Sequence, residues 1–183
     1  MHKPFLSLIL LCLFLLSCNK EQNPYLIEKQ NIGLLTDSTQ IKDLKIIYNN
    51  DSIVNFTSGN MFTENTIEIF EKGGKQLLEL TPKQTGDSTS VIKSVRIIDP
   101  RFVTDKNVSS ISTFKDIASN YNISSINSLI NSVVVSVNDI NAAFTIDKKE
   151  LPSNLRFDMD LKIEAIHIPD DAKIKYFFVN WSK

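Results

Sequence analysis

The side chains able to do chemistry are few and unevenly placed. The chain has two cysteines, Cys12 and Cys18, both near its start, and two histidines, His2 and His167. Beyond Cys18 there is no thiol to form a disulfide, a thiolate metal site or a cysteine nucleophile. His167 stands between Ile166 and Ile168 in what reads as a strand, Lys162 to Ile168, and would face away from both neighbours. With no second histidine near it, a zinc site is not expected, and a Ser-His pair has no motif to support it. Asp158, Asp160 and Glu164, or Asp170 with Asp171, have the chemistry of an oxygen-ligated cation site or of an acid/base pair in a hydrolase. That reading requires the carboxylates to converge in a pocket, and no Asp-x-Asp-x-Asp-Gly loop accompanies them. Gly73-Gly74-Lys75 lacks the spacing of a phosphate loop and precedes a strand, not a helix, so it reads as a hairpin turn. We therefore expect no catalytic residue, no metal site and no cofactor.

The remaining chemistry is that of Cys18 as an acyl acceptor. Met1, His2 and Lys3 give a basic start, and Phe5 to Leu16 is apolar apart from Ser7, the pattern of a secretory signal and too short to span a bilayer. Leu15-Leu16-Ser17-Cys18 resembles the lipobox of bacterial lipoproteins, in which the thiol is lipid-modified and the peptidase cuts just before it. Cys12 follows the bulky Leu11 and fits that pattern less well. On this resemblance residues 1–17 are a signal peptide and the mature chain starts at Cys18, held on the membrane by three acyl chains. Each buried methylene contributes about 0.8 kcal/mol, and two chains already anchor stably. Asn19, in place of the Asp associated with inner-membrane retention, favours the outer membrane, on its periplasmic face or at the cell surface.

Removing residues 1–17 from the 183 leaves 166, and because only Lys3 is lost the balance is 19 basic against 21 acidic side chains. Nucleic-acid binders concentrate Lys and Arg far beyond this, so nucleic acid is not an expected partner. A chain of 166 residues can bury one core, and without disulfides its stability must come from packing.

Residues 18–30 are mostly polar and read as the lipidated cysteine and a flexible tether, with structure starting near Ile32. Thr36 to Thr39 offers caps for a helix whose Ile41, Leu44 and Tyr48 share a face. Strands follow at Ser52 to Phe56, at Thr66 to Phe70 and Gln76 to Leu80 around the glycine turn, and at Val91 to Ile98, stopped by Asp99-Pro100. The second half repeats the pattern. Ser112-Thr113-Phe114-Lys115-Asp116-Ile117 and Tyr121 match Thr39-Gln40-Ile41-Lys42-Asp43-Leu44 and Tyr48 at an offset of 73 residues. Ile123 to Ile126, Val133 to Val137, Ala142 to Ile146 and Lys162 to Ile168 then take the places of the four strands. The expected fold is a single α+β domain over 31–183, built from repeats 31–105 and 106–183. Each repeat is a helix followed by three or four antiparallel strands, with the helices packed against sheet. The final strand, Ile174 to Trp181, carries Tyr176, Phe177, Phe178 and Trp181, and is either the seam between the halves or an edge offered to a partner.

Several short motifs carry a family resemblance: Ile32-Gly33-Leu34-Leu35-Thr36, Ile69-Phe70-Glu71-Lys72-Gly73, Ser112-Thr113-Phe114-Lys115-Asp116-Ile117, Leu151-Pro152 and Trp181. With them the chain resembles the RpoE-regulated outer-membrane lipoproteins of enterobacteria and similar flavobacterial lipoproteins. Asp37-Ser38-Thr39, Asp51-Ser52-Ile53 and Asp87-Ser88-Thr89 further resemble the O-glycosylation acceptor pattern of Bacteroidetes. The family resemblance implies a non-enzymatic envelope lipoprotein that binds an envelope component or maintains the outer membrane. A membrane contact through Cys18 and an envelope protein at Tyr176, Phe177, Phe178 and Trp181 are its expected partners. An alternative is a protein-binding module similar to the β-lactamase inhibitor proteins or small outer-membrane assembly lipoproteins, whose sheet face would be polar and aromatic.

Overall fold

The computed structural model describes residues 23–56, 65–156 and 162–181. Strands β1 (Leu26–Ile27), β2 (Asn31–Ile32) and β3 (Leu35–Thr36) precede a 3-10 turn at Ile41–Asp43 and a single helical turn, α1 (Leu44–Ile47). Next come β4 (Ser52–Phe56), β5 (Thr66–Phe70), β6 (Gln76–Pro82), β7 (Ile92–Ile97) and β8 (Val103–Thr104). The second half holds α2 (Phe114–Asn120), β9 (Ser125–Ser128), β10 (Ser132–Val137), β11 (Ala142–Asp147) and β12 (Ile174–Asn180), with three short 3-10 turns between β11 and β12.

Eight of these strands form one sheet in the order β4-β5-β6-β7-β12-β11-β10-β9, in which every neighbouring pair is antiparallel. Alternation of apolar and polar residues sets its two faces. Ile53, Ile69, Leu78, Ile97, Phe177, Phe144, Val135 and Ile126 are aligned partners across the full width of the sheet, one from each strand. One residue along, the aligned row is Val54, Glu68, Glu79, Arg96, Phe178, Ala143, Ser136 and Ser125. The first row enters the core and the second faces outward.

A second, four-stranded sheet, β3-β2-β1-β8, packs its Ile27, Ile32 and Leu35 into the same apolar cluster, as do Leu44 and Tyr48 around α1 and Phe114, Ile117 and Tyr121 around α2. Gly33 makes the turn between β2 and β3 possible. Its φ is +56°, and a Cβ there would lie 2.1 Å from the Pro24 carbonyl oxygen. Helix α2 starts with a capping box in which the Thr113 backbone N–H donates to Asp116 Oδ2 at 2.8 Å. Matching bonds fasten both helical segments to the strand ends. The Ile41 and Lys42 N–H groups donate to Ser90 and Ser88 carbonyls, and the Phe114 and Lys115 N–H groups donate to those of Ala172 and Asp170.

The α+β expectation of helices packed against sheet in tandem repeats is overturned: the described chain is mostly β, with twelve strands in two sheets and one helix longer than a single turn. The spacing of Ile41, Leu44 and Tyr48 does place Leu44 and Tyr48 in the core. The segment stays a turn because isolated short helices are marginal and because Asn49-Asn50-Asp51 follows at once. Three further boundaries move. Lys162 to Ile168 is not a strand, since Ala165–His167 forms a 3-10 turn, and its expected place as the counterpart of Val91 to Ile98 is taken by β12, which pairs with β11 as β7 pairs with β6. The strand expected at Ile123 to Ile126 forms instead at Ser125–Ser128. Order also begins before Ile32, because Leu26–Ile27 pairs with β8 and Ile27 is fully buried.

Phe177 and Phe178 are sequence neighbours on opposite faces, and truncating them should separate core from surface. Phe177→Ala is expected to cost about 4 kcal/mol of stability, the usual scale for a deleted core aromatic, whereas Phe178→Ala should cost about 1 kcal/mol or less. Urea unfolding of the two variants measures the contrast; equal costs would contradict the assigned faces.

Candidate functional site

The outward row is centred on β7 and β12. In Ile92-Lys93-Ser94-Val95-Arg96-Ile97 the buried Val95 and Ile97 flank Arg96, which therefore points to the opposite face. Phe178 is the aligned partner of Arg96 on β12, and Glu79 is its partner on β6. Arg96 Nη1 donates to Glu79 Oε2 at 3.1 Å, while its guanidinium lies 4.4 Å from the centre of the Tyr176 ring. Tyr176 and Phe178 meet edge to face at 6.2 Å. Both are half-buried, which leaves two aromatic rings and a charge pair facing outward at mid-sheet. Ser94, Thr145, Val134 and Ser136 surround them, and the group contains no nucleophile–base pair. It offers flat aromatic area and a planar cation, side-chain types enriched at protein interfaces, beside hydroxyls able to hydrogen-bond.

The residues singled out from the sequence are dispersed. Phe177 is in the core with no exposed surface and stacks on Phe144 at 4.5 Å, so it cannot share a contact surface with Tyr176 and Phe178. Trp181 lies past the end of β12, where its indole N–H donates to the Lys29 carbonyl at 3.1 Å. There it borders a cleft of about 460 Å³ with Asn138, Asn141 and Asn180. Strand β12 is central, so of the two sequence-based placements the structure shows the seam, and the aromatics lie far from the free edges β4 and β9. Cys18, Asp158 and Asp160 lie outside the described residues. Glu164 is exposed and paired with Lys162, Asp170 is exposed and paired with Lys115, and Asp171 is exposed. His167 sits in a turn, not a strand, where its Nδ1 accepts the Glu164 backbone N–H at 3.1 Å. Among the described residues no group of three or more His, Cys, Asp and Glu side chains is placed to hold a metal ion. Gly73-Gly74-Lys75 forms the β5–β6 hairpin turn, with Gly74 at φ +84°. Ser38, Ser52 and Ser88 of the three glycan-acceptor motifs are exposed.

One end of the sheet holds a charge network that the sequence pattern does not announce. Asp99 has no exposed side-chain surface. It accepts Arg101 Nη2 at 2.7 Å, Arg101 Nε at 3.0 Å and the Arg101 backbone N–H at 2.9 Å, and it pairs with Lys75 Nζ at 3.0 Å. Arg101 also donates to Glu71 Oε1 at 2.9 Å and stacks 4.9 Å from the centre of the Tyr25 ring. Burial by itself would raise the Asp99 carboxyl, but the Arg101 and Lys75 hydrogen bonds outweigh it and hold the group down at about 2. The network joins the β5–β6 hairpin, the loop after β7 and the start of the described chain. Arg96 and Asp99 both escaped the reading of the sequence. The alternation in β7 was the available signal for the first, while Asp99 stood out only as part of a strand-stopping Asp-Pro.

No family model and no curated protein matches the chain. Among solved structures it is similar to the uncharacterized protein yfeY from Escherichia coli. That likeness has a TM-score of 0.53 and 15% sequence identity, and it covers 84% of this chain and 98% of that one. The two chains share a fold.

The Asp99 carboxylate is stabilised in the folded state, so its contribution is fully present above the ordinary value of 3.8 and is lost as pH falls through about 2. Asp99→Asn should therefore lower stability by about 2 kcal/mol at pH 7, because it leaves Arg101 and Lys75 short of an acceptor. The deficit should shrink steadily as acid unfolding is followed from pH 4 towards pH 2. A deficit independent of pH would show that charge is not its cause.

Proposed function

We propose that the chain is a non-enzymatic lipoprotein of the bacterial outer membrane, acyl-anchored at Cys18, whose open sheet face binds a protein of the envelope. The Leu15-Leu16-Ser17-Cys18 motif and the residues shared with the RpoE-regulated outer-membrane lipoproteins support the address. No helix among the described residues is long and apolar enough to cross a membrane. The observation that carries the binding role is the outward row itself. The small sheet and both helical segments pack into the core on the other side, and the outward side presents Tyr176, Phe178 and the Arg96–Glu79 pair. That polar and aromatic face matches the protein-binding alternative better than strand addition at an edge, since β12 lies between β7 and β11 and not at a border.

Two measurements test the two parts. Growth with an alkyne fatty acid should label the native chain, and Cys18→Ala should lose the label and move to the soluble fraction; a labelled Cys18→Ala chain would place the anchor elsewhere. A photo-crosslinking side chain installed at Phe178 should capture a specific envelope protein, while the same group at the exposed Ser119 of α2 should not. That capture should be lost when Tyr176→Ser and Arg96→Ser are introduced beside the probe, with the circular dichroism unchanged. If the probe at Phe178 captures nothing, or the same proteins as the one at Ser119, the face is not the binding surface.

A further inference from the structure

The strand register fixes which parts of the molecule share an end. Aligned pairing of Leu78 with Ile97, Ile97 with Phe177 and Phe177 with Phe144 brings together the hairpin turn at Lys72–Lys75, residues 98–101, the start of β12 and the end of β11. Pairing of Ser132 with Asp147 and of Val133 with Ser128 adds the β9–β10 turn, Leu129 to Asn131. Ile111 belongs to the same end, because Ser110 Oγ donates to the Ile98 carbonyl and the Ile174 N–H donates to that of Ser112. The chain enters here too. Tyr25 stacks on Arg101, which is bonded to Glu71 of the hairpin. Cys18 precedes Asn23 by five residues, a span of at most about 18 Å when fully extended. Trp181 and Lys29 lie at the other end, beyond about 20 Å of β12.

This end concentrates apolar side chains that the fold does not use. Of the seven large hydrophobic residues exposed among the described ones, Ile111 (74% exposed), Leu129 (50%) and Ile130 (73%) are at it. Leu34, Ile46, Val54 and Ile166 are spread over separate elements. Beside Ile130 a cleft of about 710 Å³ is lined by Lys149, Arg156, the buried Lys148 and the Lys175–Asp147 ion pair, whose Nζ–Oδ2 distance is 2.9 Å. Protruding apolar tips next to cations match an interface of acyl chains below anionic phosphates.

We propose that this end of the sheet docks on the anionic surface of the bilayer that holds the anchor. Ile111, Leu129 and Ile130 enter the headgroup region, and Lys149 and Arg156 face the lipid phosphates. The inference rests on Cys18 being acylated. It adds an orientation: the strands stand away from the membrane and the face bearing Tyr176 and Phe178 stays accessible from the side.

Trp181 is the only tryptophan, which makes the test direct. The full acylated chain is placed in vesicles of phosphatidylethanolamine and phosphatidylglycerol with brominated acyl chains, which quench nearby indoles. The native protein should float with the vesicles and keep its emission, whereas Ile130→Trp and Ile111→Trp should each lose roughly half, one of two indoles lying within the interface. Quenching should weaken in brominated phosphatidylcholine, and equal quenching there would remove the role given to the cations. Floating protein with neither new indole quenched, or with Trp181 itself quenched, overturns the docking and leaves the anchor standing. Protein that does not float overturns the anchor, and the docking with it.

Discussion

An uninterrupted apolar row crosses the eight-stranded sheet, from Ile53 on one edge strand to Ile126 on the other, and the rest of the molecule depends on its register. A shift of one residue in any strand would turn that strand's core side chain outward, and in β5, β6, β7, β9 and β10 the outward row shows a Glu, Arg or Ser ready to take its place. The demand is greatest between β7 and β12, because this pair alone joins the two groups of four strands into one sheet. Ile97 beside Phe177 and Val95 beside Val179 make the joint apolar on the inside. The same register sets Arg96 beside Phe178 on the outside. Core and outward face are thus two consequences of one alignment.

The covering layer is constrained differently. It is assembled from two-residue strands, short helical segments and loops, which bury too little to stand alone and hold together through specific polar contacts. Asp99 provides several of them by drawing Lys75 and Arg101 onto one carboxylate, and Arg101 extends the set to Glu71 and Tyr25. The first described residues are therefore fastened to the end of the large sheet and do not hang free from it.

The similarity to yfeY, at 15% identity over most of both chains, is what such a construction allows. An aligned apolar row tolerates exchange among Ile, Val, Leu and Phe provided that volume and alternation are kept. Fold can persist while the outward row changes, and the outward row is where a partner would be discriminated. Shared architecture accordingly says nothing about whether the two chains bind the same molecule.

The near-neutral charge and the lack of a cysteine beyond Cys18 are readable from composition alone, and the expectations of an export signal and a lipobox-like motif rest on short local spacing. Also readable are the hairpin at Gly73-Gly74 and most of the large strands, whose alternation is visible in Ile67, Ile69 and Val133, Val135, Val137. The helix reading at Ile41 to Tyr48 failed because periodicity reports which side is buried and not whether enough turns exist to sustain a helix. The aromatic stretch Tyr176-Phe177-Phe178 showed its importance in the sequence but not its division between core and surface. That division, the place of β12 at the seam, the meeting of Arg96 with Tyr176 and the burial of Asp99 were decided only by tertiary structure. Each depends on which distant strand lies alongside, and pairing partners separated by about 80 residues leave no mark on their local sequence.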